Sequence, residues 1–329
     1  MHPRPWASVP LALALAALGV ASCGTCASSS ARRGDGDDGG KGVVVDLAPN
    51  PSQACTHFAS AYCNRLDACA PFLLRVGYGD VVTCAERIAK GCMPGLTAEG
   101  NQATPSQMDS CAQAVEAETC DEAMDNPQPS ACDVPGTLPV GATCGAGSQC
   151  ATGYCRLNPG TICGTCTAHG GATAKCVVDA DCAASLVCHL GTCMGPAPLG
   201  APCGLEAPCL RTLACIGNKC QAPVPLGGAC TAPTDCDSAH GGYCNLRTKV
   251  CEQTQTVAAG PCGLLGDGGA TVVTCSGGAS CGNLTRAGQG ICHQAAADGS
   301  LCGPDINCLL PAICTSTARC TLPNPAFCH

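Results

Sequence analysis

Cys230-Thr-Ala-Pro-Thr-Asp-Cys236-Asp-Ser-Ala-His-Gly-Gly-Tyr-Cys244-Asn-Leu-Arg-Thr-Lys-Val-Cys251 decides how this chain folds. The segment holds four cysteines and one aromatic residue, Tyr243. So little apolar bulk cannot close an ordinary core, so covalent cross-links must replace it. The same reading extends to the whole chain, where 36 of 329 residues are cysteine and only 2% are aromatic. Thiols at this density stay paired in an oxidising compartment, which points to an exported protein.

Moving outward from this segment, the spacing repeats. The quartets read 144/150/155/163, 176/182/188/193, 203/209/215/220, 230/236/244/251, 262/275/281/292 and 302/308/314/320. Spelled out, they are Cys144, Cys150, Cys155 and Cys163; Cys176, Cys182, Cys188 and Cys193; Cys203, Cys209, Cys215 and Cys220; Cys230, Cys236, Cys244 and Cys251; Cys262, Cys275, Cys281 and Cys292; and Cys302, Cys308, Cys314 and Cys320. Five of the six open with a five-residue gap, the exception being the Gly-rich stretch from Cys262 to Cys275. Gly141, Gly200, Gly227 and Gly299 each stand three residues before a first cysteine, which fits a turn that needs a positive φ. Two bridges do not offset the entropy of ordering about 20 residues. Each unit must therefore also gain from its turns and its neighbours. Short hairpins and little regular structure are expected over 134–329.

Residues 51–133 differ. Cys55, Phe58, Ala59, Tyr62, Cys63, Leu66 and Cys69 fall on one helical face. Asp80 fits the N-cap of a second helix carrying Cys84, Ile88 and Cys92. Thr104-Pro105-Ser106-Gln107 is a capping box opening a third. The aromatic stripe reads as a small core. Eight cysteines (55, 63, 69, 84, 92, 111, 120 and 132) permit full pairing in any of 105 connectivities.

The N-terminus reads as an address. Residues 1–22 contain a ten-residue apolar run, Leu11 to Val20, right for a signal peptide and too short to span a bilayer. It ends in Val20-Ala21-Ser22-Cys23, which resembles the bacterial lipobox. That resemblance implies acylation of Cys23 and, with Gly24 following, an outer-membrane lipoprotein. The alternative is ordinary cleavage after Ser22 and free secretion. Residues 23–50 read as a flexible tether. Its Arg33-Gly34-Asp35 and its Asp35, Asp37 and Asp46 suit an acidic linker better than an adhesion tripeptide or a calcium loop. Parity adds one expectation. With Cys23 acylated, 35 thiols remain, an odd number, so one stays free or pairs between chains. Cys26 is the candidate free thiol, and Cys166 and Cys328 then bridge the first quartet to the tail.

The Cys144-x5-Cys150-Ala151-Thr152-Gly153-Tyr154-Cys155 and Cys236 to Gly241-Gly242-Tyr243-Cys244 patterns resemble Dickkopf N-terminal cysteine-rich repeats. The whole layout resembles the cysteine-rich lipoproteins of myxobacteria. A receptor role does not carry over from a few spaced cysteines.

No catalytic constellation stands out, and no cofactor or metal is expected. Cys163-Gly164-Thr165-Cys166 is a CxxC, but without a strand-to-helix setting it reads as structural. Five-residue gaps and scattered histidines do not suit zinc. The balance of 16 bases against 24 acids offers no basic stripe for nucleic acid. The expected function is a non-enzymatic, lipid-anchored scaffold or adhesion protein. It would be held to the membrane by its anchor and would bind an unknown extracellular protein or polysaccharide. A tethered protease inhibitor, with Lys175, Arg211 or Arg247 as bait, is the runner-up, and a thiol-disulfide redox protein comes third.

Overall fold

A computed structural model describes residues 49–125, 129–204, 207–266 and 271–328. It shows a small disulfide-rich protein, with a helical N-terminal part followed by short hairpins. Five helices come first: α1 (Pro51–Cys69), α2 (Pro71–Gly77), α3 (Val81–Leu96), α4 (Pro105–Ala117) and α5 (Cys120–Asp125). Their starts are set locally. The Asn50 Oδ1 accepts the Gln53 amide at 2.9 Å, while the Gln53 Oε1 accepts the Asn50 amide at 3.1 Å, and Pro51 opens the helix. Asp80 caps α3 through the Thr83 amide at 2.8 Å, and Thr104 and Gln107 form the capping box of α4. Thr119 and Glu122 do the same for α5. The α1 stripe packs onto α3 and α4, burying Phe58, Leu74, Tyr78, Ile88, Met108 and Val115. Bridges Cys55–Cys92, Cys63–Cys84, Cys69–Cys120 and Cys111–Cys132 fix this hub. The aromatic stripe is therefore core, with Phe58 buried and Tyr62 packed against it half-buried, while Phe72 of α2 is half-buried and lies against Gly241 of the fourth unit.

Sixteen short strands follow. The first unit has β1 (Thr143–Cys144), β2 (Cys155–Leu157) and β3 (Gly164–Cys166). The second to fourth have β4 (Val187–His189) with β5 (Thr192–Met194), β6 (Ala214–Ile216) with β7 (Lys219–Gln221), and β8 (Gly242–Asn245) with β9 (Val250–Gln253). The fifth has β10 (Gln255–Val257), β11 (Gly260–Leu265), β12 (Thr271–Cys275), β13 (Ser280–Gly282) and β14 (Gln289–His293). The sixth has β15 (Ile313–Cys314) and β16 (Cys320–Thr321).

One unit is built six times. Its last two cysteines face each other across a hairpin, as Cys188 faces Cys193 and Cys244 faces Cys251. They do not bond to each other. The first cysteine bonds the third and the second bonds the fourth, as in Cys176–Cys188 with Cys182–Cys193. The residue six before the first cysteine pairs in parallel with the second cysteine in five units, for example Leu138 with Cys150 and Val224 with Cys236. In the fifth unit the pairing lengthens into β10 against β12, with Val257, five residues before the first cysteine, opposite Cys275. There the Gly-rich insertion belongs to a β11–β12 hairpin, within a five-stranded sheet ordered β10-β12-β11-β14-β13. That is more regular structure than the sequence suggests for any unit.

The first quartet needs a correction. Cys163 was expected as its fourth member, with Cys166 left for Cys328. The bridges are instead Cys144–Cys155, Cys150–Cys166 and Cys163–Cys328. Hairpin register is the reason. Cys166 lies opposite Cys155, where every other fourth cysteine stands, while Cys163 lies in the loop that turns β2 into β3. Gly164 makes the close approach possible, since a Cβ there would run into the Arg156 carbonyl.

Cys163–Cys328 changes the architecture. Bridges inside the units span 11 to 19 residues, whereas this one spans 165. It closes the six units into a covalent ring, and the ring seats on the hub. The Thr137 amide donates to the Gly100 carbonyl at 2.9 Å, the Phe72 amide to Ala239 at 3.2 Å, and the Gly277 amide to Arg75 at 2.9 Å. Arg87, buried on α3, donates to both carboxylate oxygens of Asp298 at 2.6 Å and to the carbonyls of Leu309 and Leu310. These neighbour contacts supply what two bridges per unit lack.

Candidate functional site

Where hub and ring meet, they leave a cleft of about 610 Å³. Its floor is α3 and the hub core, with Ile88, Cys92 and Met108 each no more than 5% exposed. The first unit contributes Gly145, Ser148 and Tyr154 to Pro159, around β2, and the second contributes Val177, Val178, Ala180 and Asp181. Leu310, Pro311 and Ile313 of the sixth unit and the tail prolines Pro323 and Pro325 complete it. Val177, 82% exposed, and Arg156, half exposed, stand at its mouth.

The polar end of the cleft follows from a rule inside the units. In the first, second and fourth units the residue before the second cysteine turns its side chain back onto the loop after the first. Gln149 accepts the amides of Gly145 and Ala146 at 2.7 and 3.1 Å. Asp235 accepts those of Thr231 and Ala232 at 2.7 and 2.9 Å. Asp181 accepts those of Val177 and Val178 at 2.6 and 3.2 Å. Burial pushes the Asp181 carboxyl up, but the Tyr154 hydroxyl, donating at 2.5 Å, together with the two amides and Arg156, holds it below the ordinary value. The Tyr154 hydroxyl is pushed well above its usual range by burial and then by that carboxylate. Its ring stacks on His169 with centroids 4.5 Å apart.

The residues singled out from sequence fall elsewhere. Cys23, Cys26, Arg33-Gly34-Asp35, Asp37 and Asp46 lie outside the described residues. The seventeen bridges take every cysteine from Cys55 to Cys328, so only Cys23 and Cys26 are left over. The CxxC cysteines have separate partners, and Gly164 to Cys166 is a strand rather than a helix start. Arg211 is held in an ion pair with Asp179, and its amide donates to Asp125 at 2.5 Å. Lys175 and Arg247 are exposed on other units. Close sulfur triplets such as Cys144, Cys150 and Cys166 are oxidised bridges and offer no thiolate. His57 sits on the hub between Asp109 at 2.6 Å and Glu116 at 3.3 Å; the hydrogen bond to Asp109 raises its pKa.

Sequence reading missed the cleft. A usable signal was present in Gln149-Cys150, Asp181-Cys182 and Asp235-Cys236, where a side-chain acceptor recurs before the second cysteine. Nothing in the sequence placed α3 opposite the tail. No protein-family model, no curated protein and no solved structure matches this chain.

Proposed function

We propose that this exported, disulfide-stabilised protein is a non-enzymatic binding module held at the cell envelope by a lipid on Cys23. The observation that carries the reading is the closed ring. Cys163–Cys328 clamps six cross-linked units around a helical hub and holds a cleft open between them. Such a frame presents a preformed surface at little entropic cost on binding, which is what a binding module needs. The Val20-Ala21-Ser22-Cys23 sequence supports a lipid anchor. Among the described residues no helix is long and apolar enough to cross a membrane. The layout resembles myxobacterial cysteine-rich lipoproteins, and this chain is proposed as one of that kind, at the outer membrane.

Cell fractionation with labelled fatty acid tests the anchor. The wild-type protein should sediment with membranes and carry label, and Cys23→Ala should lose both. An unlabelled, freely secreted wild type would overturn the anchored reading.

A further inference from the structure

We infer that the cleft between α3 and the ring takes a single acyl chain with an anionic head, its carboxylate or phosphate meeting Arg156. This rests on the binding-module reading and names its ligand class. Three observations carry it. The walls are aliphatic, built from Ile88, Leu96, Val177, Leu310 and prolines. A peptide backbone laid there would find partners only along the β2 edge and at Asn101, Ser148, Asn158 and Asp181, and its remaining amides would be desolvated without one. The one aromatic wall residue, Tyr154, already stacks on His169 and donates its hydroxyl to Asp181, so a flat aromatic ligand gains no free face. An unbranched hydrocarbon needs neither.

The second observation is charge. Arg156 meets Asp181 through Nε at 3.3 Å and Nη2 at 3.5 Å, with half its side chain exposed. The Asp181 carboxylate is already served by Tyr154, Val177 and Val178. Arg156 therefore keeps its Nη1 donors free at the mouth, turned to where a carboxylate or phosphate would sit. The third is Gly95, on the helical wall of the cleft. A Cβ there would meet nothing within 4 Å, so no packing contact requires the missing side chain. Glycine in a helix lowers stability relative to alanine, and here the omitted side chain is cleft volume.

The test uses the oxidised mature chain carrying Cys23→Ser, which has no acyl group of its own. Isothermal titration with saturated carboxylates from octanoate to hexadecanoate, below their micelle concentrations, should show saturable 1:1 binding. Affinity should rise about four-fold per methylene until the cleft is full. The matching alcohols should bind about ten-fold more weakly, and Arg156→Gln should erase that difference. Gly95→Leu should weaken every chain at least about ten-fold with native bridges retained. Val177→Asp, at an exposed position that leaves folding alone, should weaken acids more than alcohols. Lysophosphatidylglycerol set beside dodecanoate distinguishes a lipid source from a free acid. Absence of saturable binding by any chain, affinity independent of chain length, or a folded Gly95→Leu that binds like the parent would each overturn the inference. None of these outcomes touches the fractionation result, so the two readings fail separately.

Discussion

Three residues before the first cysteine, four units turn through glycine with φ of 80° to 91°, and the second unit does so through Thr173 at φ 71°. Each closes a four-residue turn, such as the Ala201 amide to the Pro198 carbonyl at 3.0 Å and the Ala174 amide to Gly171 at 3.0 Å. A β-branched residue in left-handed backbone costs about 1–2 kcal/mol, partly offset by its smaller loss of unfolded-chain freedom. Thr173→Gly should raise stability by about 0.5–1 kcal/mol in thermal melts, and Gly200→Thr should lower it by at least as much. The Tyr78 hydroxyl is buried in the hub without a hydrogen-bond partner. Tyr78→Phe should therefore stabilise by about 1 kcal/mol. Glu118 supplies a pH signature. Burial and then Glu122 push its carboxyl up from 4.5 to about 7. Its folded pKa lies above the unfolded one, so its contribution is fully present below about 4.5 and is lost as pH rises through 7. Glu118→Gln should raise the melting temperature at pH 8 and leave it unchanged at pH 4. Asp181 and Asp235 have the opposite sign. Their folded pKa values are depressed, so they stabilise above the ordinary aspartate value and that contribution is lost as pH falls below it.

At the scale of elements, the hairpin governs cysteine choice. Cys166 is used in the first unit because β2 and β3 pair with Cys155 opposite Cys166. Gly164→Ala should force these strands apart by collision with the Arg156 carbonyl, at a cost of about 1–3 kcal/mol. Disulfide mapping after refolding should then show Cys150 bonded to Cys163 in a measurable fraction of molecules. A wild-type map would show that register is set elsewhere. The helices behave more simply. Their caps and stripes are local, so Asp80 and Thr104 could be recognised before any tertiary contact was known. Asn50 and Thr119 make the same kind of box and are equally legible from their local sequence.

For the whole molecule the decisive bond is Cys163–Cys328, supported by Arg87 with Asp298. Cys163→Ser with Cys328→Ser should leave sixteen bridges in place and cost about 2–4 kcal/mol. It should free the tail after Cys320, where Pro323 and Pro325 line the cleft, and limited proteolysis should cut there first. Asp298→Ala should cost about 2 kcal/mol, because it leaves Arg87 buried with only the Leu309 and Leu310 carbonyls. Its carboxyl is held below the usual range by Arg87, so this seat of ring on hub is present above the ordinary aspartate value and is lost as pH falls through the folded one.

The sequence by itself determined everything that depends on near neighbours. Cysteine density required cross-links, the five-residue gap marked the unit, glycine at a fixed offset marked its turn, and caps with a 3.6-residue stripe marked the helices. Each of these is decided within about one turn of chain. The tertiary structure alone decided which sulfurs meet across long distances. Once the quartets are counted, a cysteine near the first quartet is left over beside Cys328, but spacing is indifferent to whether that is Cys166 or Cys163. Only the register of β2 on β3 distinguishes them. The ring, the burial of Arg87 against Asp298 and the cleft all follow from that closure. They join residues more than a hundred positions apart, and no local pattern encodes such a distance.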